Sequence, residues 1–170
     1  TDSLLRVQTL ESQQGWQRVL LETSTRQLIP LLISPPLTNS NTLHVYFPSM
    51  GKQQVAMQEI EALRSKGEGV VLIDLFGLGE RSSVTADQID GALPRFHTLS
   101  RSLLWMGRSM MGIWASEIGL INAYLQQEYK SSKQTLVADR ETAIAALISN
   151  VLNTSEPELL LRELPISYLP

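Results

Sequence analysis

Cysteine is absent from the 170 residues, which excludes disulfides, thiolate catalysis and cysteine-based zinc sites without identifying a compartment. Histidine occurs only at His44 and His97, too few for a histidine-dominated metal centre. Basic runs are missing as well. Fourteen Lys and Arg residues stand against 17 Asp and Glu, for a net charge of −3, so the electrostatic footprint of nucleic-acid binding is excluded. No apolar stretch reaches the roughly 18 residues that a membrane span requires. Charged residues make up 18% of the chain, below the roughly 25% of ordinary soluble domains, which predicts that other parts of a larger protein cover some of the surface. Internal repeats and low-complexity tracts are absent too. What remains is a chain with 43% apolar residues, long enough for one globular domain with a substantial core. It begins at Thr1, which fits a removed leader and fits equally a piece of a longer protein.

Residues 1–16 have no clean period and read as a lead-in. The run Val19–Leu21, the polar break at Thr23–Thr25 and the run Leu28–Ile33 predict an antiparallel hairpin. Pro30 places it at an edge, because proline cannot donate to a ladder. Leu43–Phe47 and Val70–Leu75 are short, continuous apolar runs of the kind that fill parallel strands buried on both faces. Between them Ala56, Ile60 and Leu63 share one helix face, and Lys66-Gly67 supplies a basic last turn and a stop. A polar stretch covers Glu80–Pro94. A long helix over about 100–129 is predicted from Leu103, Gly107, Met110, Met111, Trp114, Ile118, Ile121 and Leu125, a stripe best read as core packing. Gln134–Val137 is a short strand, Ile144, Leu147, Ile148 and Val151 have helical spacing, and residues 157–163 form a last strand. The expected fold class is α/β, with a mostly parallel sheet, helices on both faces and an N-terminal antiparallel hairpin.

Three segments sharpen this reading: VVLIDLFGLGE at 70–80, LLWMGRSMMGIWASEIGLINAYL at 103–125, and LIPLLISPP at 28–36. Together with the element order, they resemble the α/β-hydrolase fold, and within it the bacterial acetyl xylan esterase and dienelactone-hydrolase-like branch. The resemblance implies a serine-type ester hydrolase scaffold and export to the periplasm or beyond. About six strands can be counted, and the last would be left as an open parallel edge. Residues 1–170 are therefore expected to be the N-terminal part of the full fold, or one piece of a larger protein. The expected partners are the remainder of a longer chain, a second domain or a homo-oligomer covering that edge.

In this fold the nucleophile sits in a G-x-S-x-G turn between a strand and a helix. The matching segment is LVADRETAIAAL, 136–147. It puts Ala138 and Thr142 at the glycine positions and Arg140 at the serine position, where a guanidinium that stays protonated cannot attack a carbonyl. Thr142 reads as a helix-cap residue. Gly107-Arg108-Ser109-Met110-Met111-Gly112 has its second glycine one place late and no preceding strand, which leaves Ser109 as a weak substitute. No histidine follows Ala138, so the order of nucleophile, acid and histidine is incomplete. His44 reads as a satisfied strand residue and His97 as a solvated or capping one. Met50 and Gly51, in the loop after the first parallel strand, match the loop that supplies an oxyanion-hole N–H in the family.

Other chemistry falls away on spacing. The segment ending Gly51-Lys52 would need Gly at Tyr46 and Ser or Thr at Gln53 to be a phosphate loop. Gly77-Leu78-Gly79 lacks the third glycine of a dinucleotide fingerprint, which falls at Ser82. Trp105 and Trp114 lie on opposite faces of a straight helix, so with Phe96 they make no single sugar-stacking platform, and carbohydrate stays a minor expectation. No cofactor and no metal are expected. The leading expectation is a degenerate, noncatalytic esterase-like domain associated with a carbohydrate-esterase-type protein. The alternative is an active esterase on acetylated polysaccharide or small esters, completed by residues outside the chain.

Overall fold

The computed structural model describes residues 3–37, 40–82, 93, 96–130, 133–153 and 157–165. Its strands are β1 (Leu4–Thr9), β2 (Gln17–Thr23), β3 (Leu28–Ser34), β4 (Thr42–Phe47), β5 (Gly69–Ile73), β6 (Lys133–Asp139) and β7 (Glu158–Arg162). The helices are α1 (Met57–Ser65), α2 (His97–Trp105), α3 (Met110–Glu128) and α4 (Arg140–Leu152). One seven-stranded sheet runs in the order β1-β2-β3-β5-β4-β6-β7. β1, β2, β3 and β5 pair antiparallel, and β5, β4, β6 and β7 pair parallel.

Strand alternation distributes the core between two faces. Leu43, Val45 and Phe47 of β4, Val71 and Ile73 of β5, and Leu136 and Ala138 of β6 join the larger cluster with Met110, Trp114, Ile118 and Leu125 of α3 and Ala143 and Ala146 of α4. The residues between them, Tyr46, Val70, Leu72 and Val137, turn to the other face and pack with Ile60 of α1. All five residues of β5 are buried, which is why its sequence is continuously apolar. Each fully buried Leu, Ile or Phe in these layers contributes roughly 1.5–3 kcal/mol by leaving water. At the end of α1, Gly67 at φ +78° lets its own N–H reach Arg64 O at 2.9 Å and the Glu68 N–H reach Leu63 O at 3.1 Å. These bonds satisfy carbonyls that the helix leaves open.

Three sequence expectations need correction. The lead-in holds a strand, β1, so the β2–β3 hairpin lies inside the sheet. Pro30 is accommodated because the ladder with β5 begins one residue later, at Leu31. Among the described residues the sheet accordingly has seven strands. Finally, the long helix is two helices. After Trp105 the chain turns through Gly107 at φ +70°, Arg108 N bonds Leu103 O at 2.9 Å, and Ser109 caps a new helix by accepting from Gly112 N at 3.0 Å. The apolar period runs through the break because Leu103 and Met110 enter the same core. The straight-helix argument about the tryptophans lapses with it: Trp114 is 2% exposed and Trp105 82%. The polar stretch 80–94 lies mostly outside the described residues.

The apolar stripe of α4 also takes an unexpected direction. The helix buries its small residues Thr142, Ala143, Ala145, Ala146 and Ser149, while Leu147, Ile148, Val151 and Leu152 are exposed.

Candidate functional site

The parallel strands β4 and β6 end side by side, with Phe47 opposite Ala138, and the site is built where they stop. Ala138, buried, is followed by Asp139 and then by Arg140, the first residue of α4. Arg140 has φ +49°, in the left-handed region that costs an L-residue roughly 1–2 kcal/mol. The turn therefore has the sharpness that strand-to-helix nucleophile turns require. Thr142 is fully buried, with Oγ1 2.5 Å from Phe47 O, 2.8 Å from Asp139 O and 3.3 Å from Asp139 N. Its hydroxyl ties the helix start to the end of β4 and is closed to a substrate. The Arg140 guanidinium points outward, with Nε donating to Glu163 Oε2 at 2.7 Å. That hydrogen bond raises the guanidinium's already high pKa and holds it charged.

The loop after β4 lies against this turn. Ser49 N donates to Asp139 Oδ1 at 2.7 Å, and Ser49 Oγ donates to Oδ2 at 3.1 Å. Gly51, at φ +95°, donates to Pro48 O at 3.2 Å. A Cβ on Gly51 would lie 2.8 Å from Gly79 Cα, so the two turns approach as only glycines allow. Buried Asp74, just past β5, accepts from Lys52 N at 2.6 Å and Glu80 N at 3.0 Å, while the Lys52 ammonium pairs with Glu80. Met50 is half exposed at the rim. Beyond it lies a cavity of about 250 Å³, lined among others by Tyr46, Met50, Glu59, Ala138, Arg140 and Arg162.

One polar trio in this cavity escaped the sequence. Arg162 at the end of β7 clasps Glu59 of α1 through Nη1–Oε2 at 3.0 Å and Nη2–Oε1 at 2.5 Å, and the Tyr46 hydroxyl donates to Glu59 Oε1 at 2.7 Å. The Arg162 hydrogen bond draws the Glu59 carboxyl below its ordinary value. Burial, then the Glu59 hydrogen bond, pushes the Tyr46 phenol far up. Glu59 and Arg162 are 103 positions apart, so no local pattern could reveal the pair.

The remaining candidates lie elsewhere. Ser109 caps α3 and borders a separate depression with Thr25, Gly107 and Arg108. His44 Nε2 lies 2.8 Å from Glu68 Oε2, a partner that explains a histidine in a strand. His97 opens α2, with its Nδ1 buried and without a hydrogen-bond partner. Neither histidine lines the cavity beside Arg140. A nucleophile, a histidine base and an acid are thus not gathered among the described residues, and neither is a group of three or more metal-ligating side chains. No helix among them is long and apolar enough to cross a membrane.

Neither a protein-family model nor a curated protein matches the chain, but solved structures do. A Bacteroides fragilis protein assigned as an acetyl xylan esterase superposes with a TM-score of 0.67 at 14% identity, covering 89% of this chain and 46% of that one. The acetyl xylan esterase of Paenibacillus sp. R4 gives 0.63 at 15% identity, covering 89% and 50%. Dienelactone hydrolase from Anabaena variabilis gives 0.61 at 14% identity, covering 88% and 64%. This chain thus spans between 46% and 64% of the length of these three structures. At such identities the likeness is one of architecture, and it agrees with the mixed sheet and the sharp turn after β6: the chain has the α/β-hydrolase fold.

Proposed function

We propose that this chain is a noncatalytic, esterase-like domain, an accessory part of a carbohydrate-esterase-type protein. The observation that carries the reading is Arg140 at the left-handed turn between β6 and α4. A fold that positions its nucleophile there presents a charged, ion-paired guanidinium instead. A protonated guanidinium has no lone pair free for attack, and its pKa is too high for a neighbouring base to remove one of its protons at neutral pH. The Asp139 carboxylate held against Ser49 supports the same reading, since a fixed negative charge beside the loop opposes a developing oxyanion. The domain's contribution would then be scaffolding, through its sheet edge and the exposed stripe of α4.

The test is a fluorophosphonate serine-hydrolase probe on the folded chain, together with turnover of acetylated xylan and p-nitrophenyl acetate. The expected result is no labelling and no hydrolysis above buffer. Labelling of one serine, with turnover lost when that serine becomes alanine, would overturn the reading in favour of an esterase on acetylated polysaccharide or small esters.

A further inference from the structure

A surface helix ordinarily turns polar side chains to water. α2 does otherwise. Leu99 and Leu103 pack its inner side against the core, while Arg101, Leu104 and Trp105, three and four residues apart, share the outer face and are exposed. The helix then stops. Gly107 at φ +70° turns the chain, and residues 104–109 are exposed without interruption. Leu104, Trp105 and Met106 are 62%, 82% and 67% exposed, so the end of α2 is a blunt apolar tip. Arg101 and Arg108, both exposed, flank it, and no acidic residue occurs between Asp90 and Glu117. Glu117 itself is buried against Arg81.

We infer that this tip docks on an anionic lipid surface. Tryptophan suits the boundary between headgroups and acyl chains. Leu104 and Met106 enter the acyl layer beside it, and the flanking arginines meet headgroup phosphates. Other occupants fit less well. A second copy docking by the same tip sets arginine against arginine, with no acid in the segment to answer it. A protein partner of standard size takes roughly 800 Å² from each side, more than three protruding side chains supply. A bilayer, by contrast, admits a convex tip of a few residues.

The tip lies away from the outer strand β7. Gly107, Arg108 and Ser109 line one depression with Thr25, which belongs to the turn between β2 and β3. In the sheet β3 stands four strand steps from β7, roughly 19 Å, so the exposure of the tip is separate from that edge. Nor does the docking depend on the reading of Arg140, because α2 presents the same surface whether or not the turn after β6 is catalytic.

Sucrose-loaded vesicles of equal parts phosphatidylglycerol and phosphatidylcholine supply the test. The chain should sediment with them, less so as salt is raised, and its tryptophan emission should move to shorter wavelength as Trp105 leaves water. Vesicles of phosphatidylcholine alone should bind about tenfold more weakly. Trp105→Ser should lower the partition coefficient more than tenfold and remove the spectral shift, and Arg101→Gln should lower it about fivefold. Both positions are exposed, and circular dichroism confirms that the variants are folded. Trp16→Phe, at a residue packed against the other core cluster, should bind and shift as the unmodified chain does. Failure to sediment with the anionic vesicles, equal binding to the neutral ones, or undiminished binding by Trp105→Ser overturns the proposal. So does self-association without lipid that Trp105→Ser abolishes, which assigns the tip to a second copy instead.

Discussion

The backbone amide of Ser49 lies 2.7 Å from Oδ1 of Asp139, and the Ser49 hydroxyl lies 3.1 Å from Oδ2. One carboxylate at the end of β6 thereby fastens the loop that follows β4, joining two segments 90 residues apart in sequence. Ser49 is buried, so the bond is made away from water, where losing an acceptor is costly. Asp139→Ala should lower stability by about 1–3 kcal/mol. Urea unfolding checks this, and an unchanged midpoint would mean that the loop is held by its other bonds.

The ion pair between Arg81 and Glu117 is the more deeply buried support. The guanidinium meets both carboxylate oxygens, at 2.7 and 2.9 Å, and Phe76 N adds a third bond at 2.9 Å. Trp114 Nε1 donates to Phe76 O at 2.8 Å, so the chain leaving β5 is anchored to α3 twice. Glu117→Ala strands a buried cation and should cost about 3–5 kcal/mol in the same unfolding experiment. Glu163→Ala removes the exposed partner of Arg140 and should leave the midpoint unmoved.

Glycine at position 79 answers a packing demand, because a Cβ there would overlap the Asp74 carboxylate. Gly107 also has a positive φ, but its Cβ would enter open space. Gly107→Ala should therefore cost about 1 kcal/mol, the backbone penalty alone. Gly79→Ala adds the displacement of a buried carboxylate and should cost about 3 kcal/mol. Equal destabilisation of the two variants would show that Asp74 moves aside freely.

Stability should fall at both ends of the pH scale, for reasons of opposite sign. Burial pushes Tyr124 up to about 12 and raises Tyr46 and Tyr129 as well. These phenols ionise first in the unfolded chain, so their contribution is complete below about pH 10 and is lost as pH rises through the folded values. Glu59 is drawn down by Arg162. Its contribution is present above the unfolded carboxylate value of about 4.3 and disappears as pH falls through the lower folded one. Urea midpoints against pH, with Tyr46→Phe flattening the alkaline limb and Glu59→Gln the acid limb, test both signs. An unchanged slope in either variant would assign that limb to other groups.

Much of the architecture can be read along the chain because the sheet alternates strictly between its faces. Continuous apolar runs in β4, β5 and β6, the hairpin pattern of β2 and β3, and the spacing in α1 and α4 each report a local rule. So does the segment 136–147, where Arg140 is recognisable at a strand-to-helix turn before its φ is known. The sequence by itself determined the α/β class and the arginine at that strand-to-helix turn, since both rest on residue type and near-neighbour spacing, while the hydrolase-like order of elements came from the resemblance of its segments to that family. Only the tertiary structure decided that α3 starts afresh at Ser109, because one apolar period serves two helices that enter one core. It alone decided which face of α4 is buried: the sheet surface over β6 and β7 accepts alanines closely and leaves the larger Leu147 and Val151 outside. The meetings of Tyr46 with Glu59 and Arg162, and of Ser49 with Asp139, also came from the third dimension. They join residues distant in the chain, and no periodicity encodes a contact that exists only after the sheet has closed the loops between them.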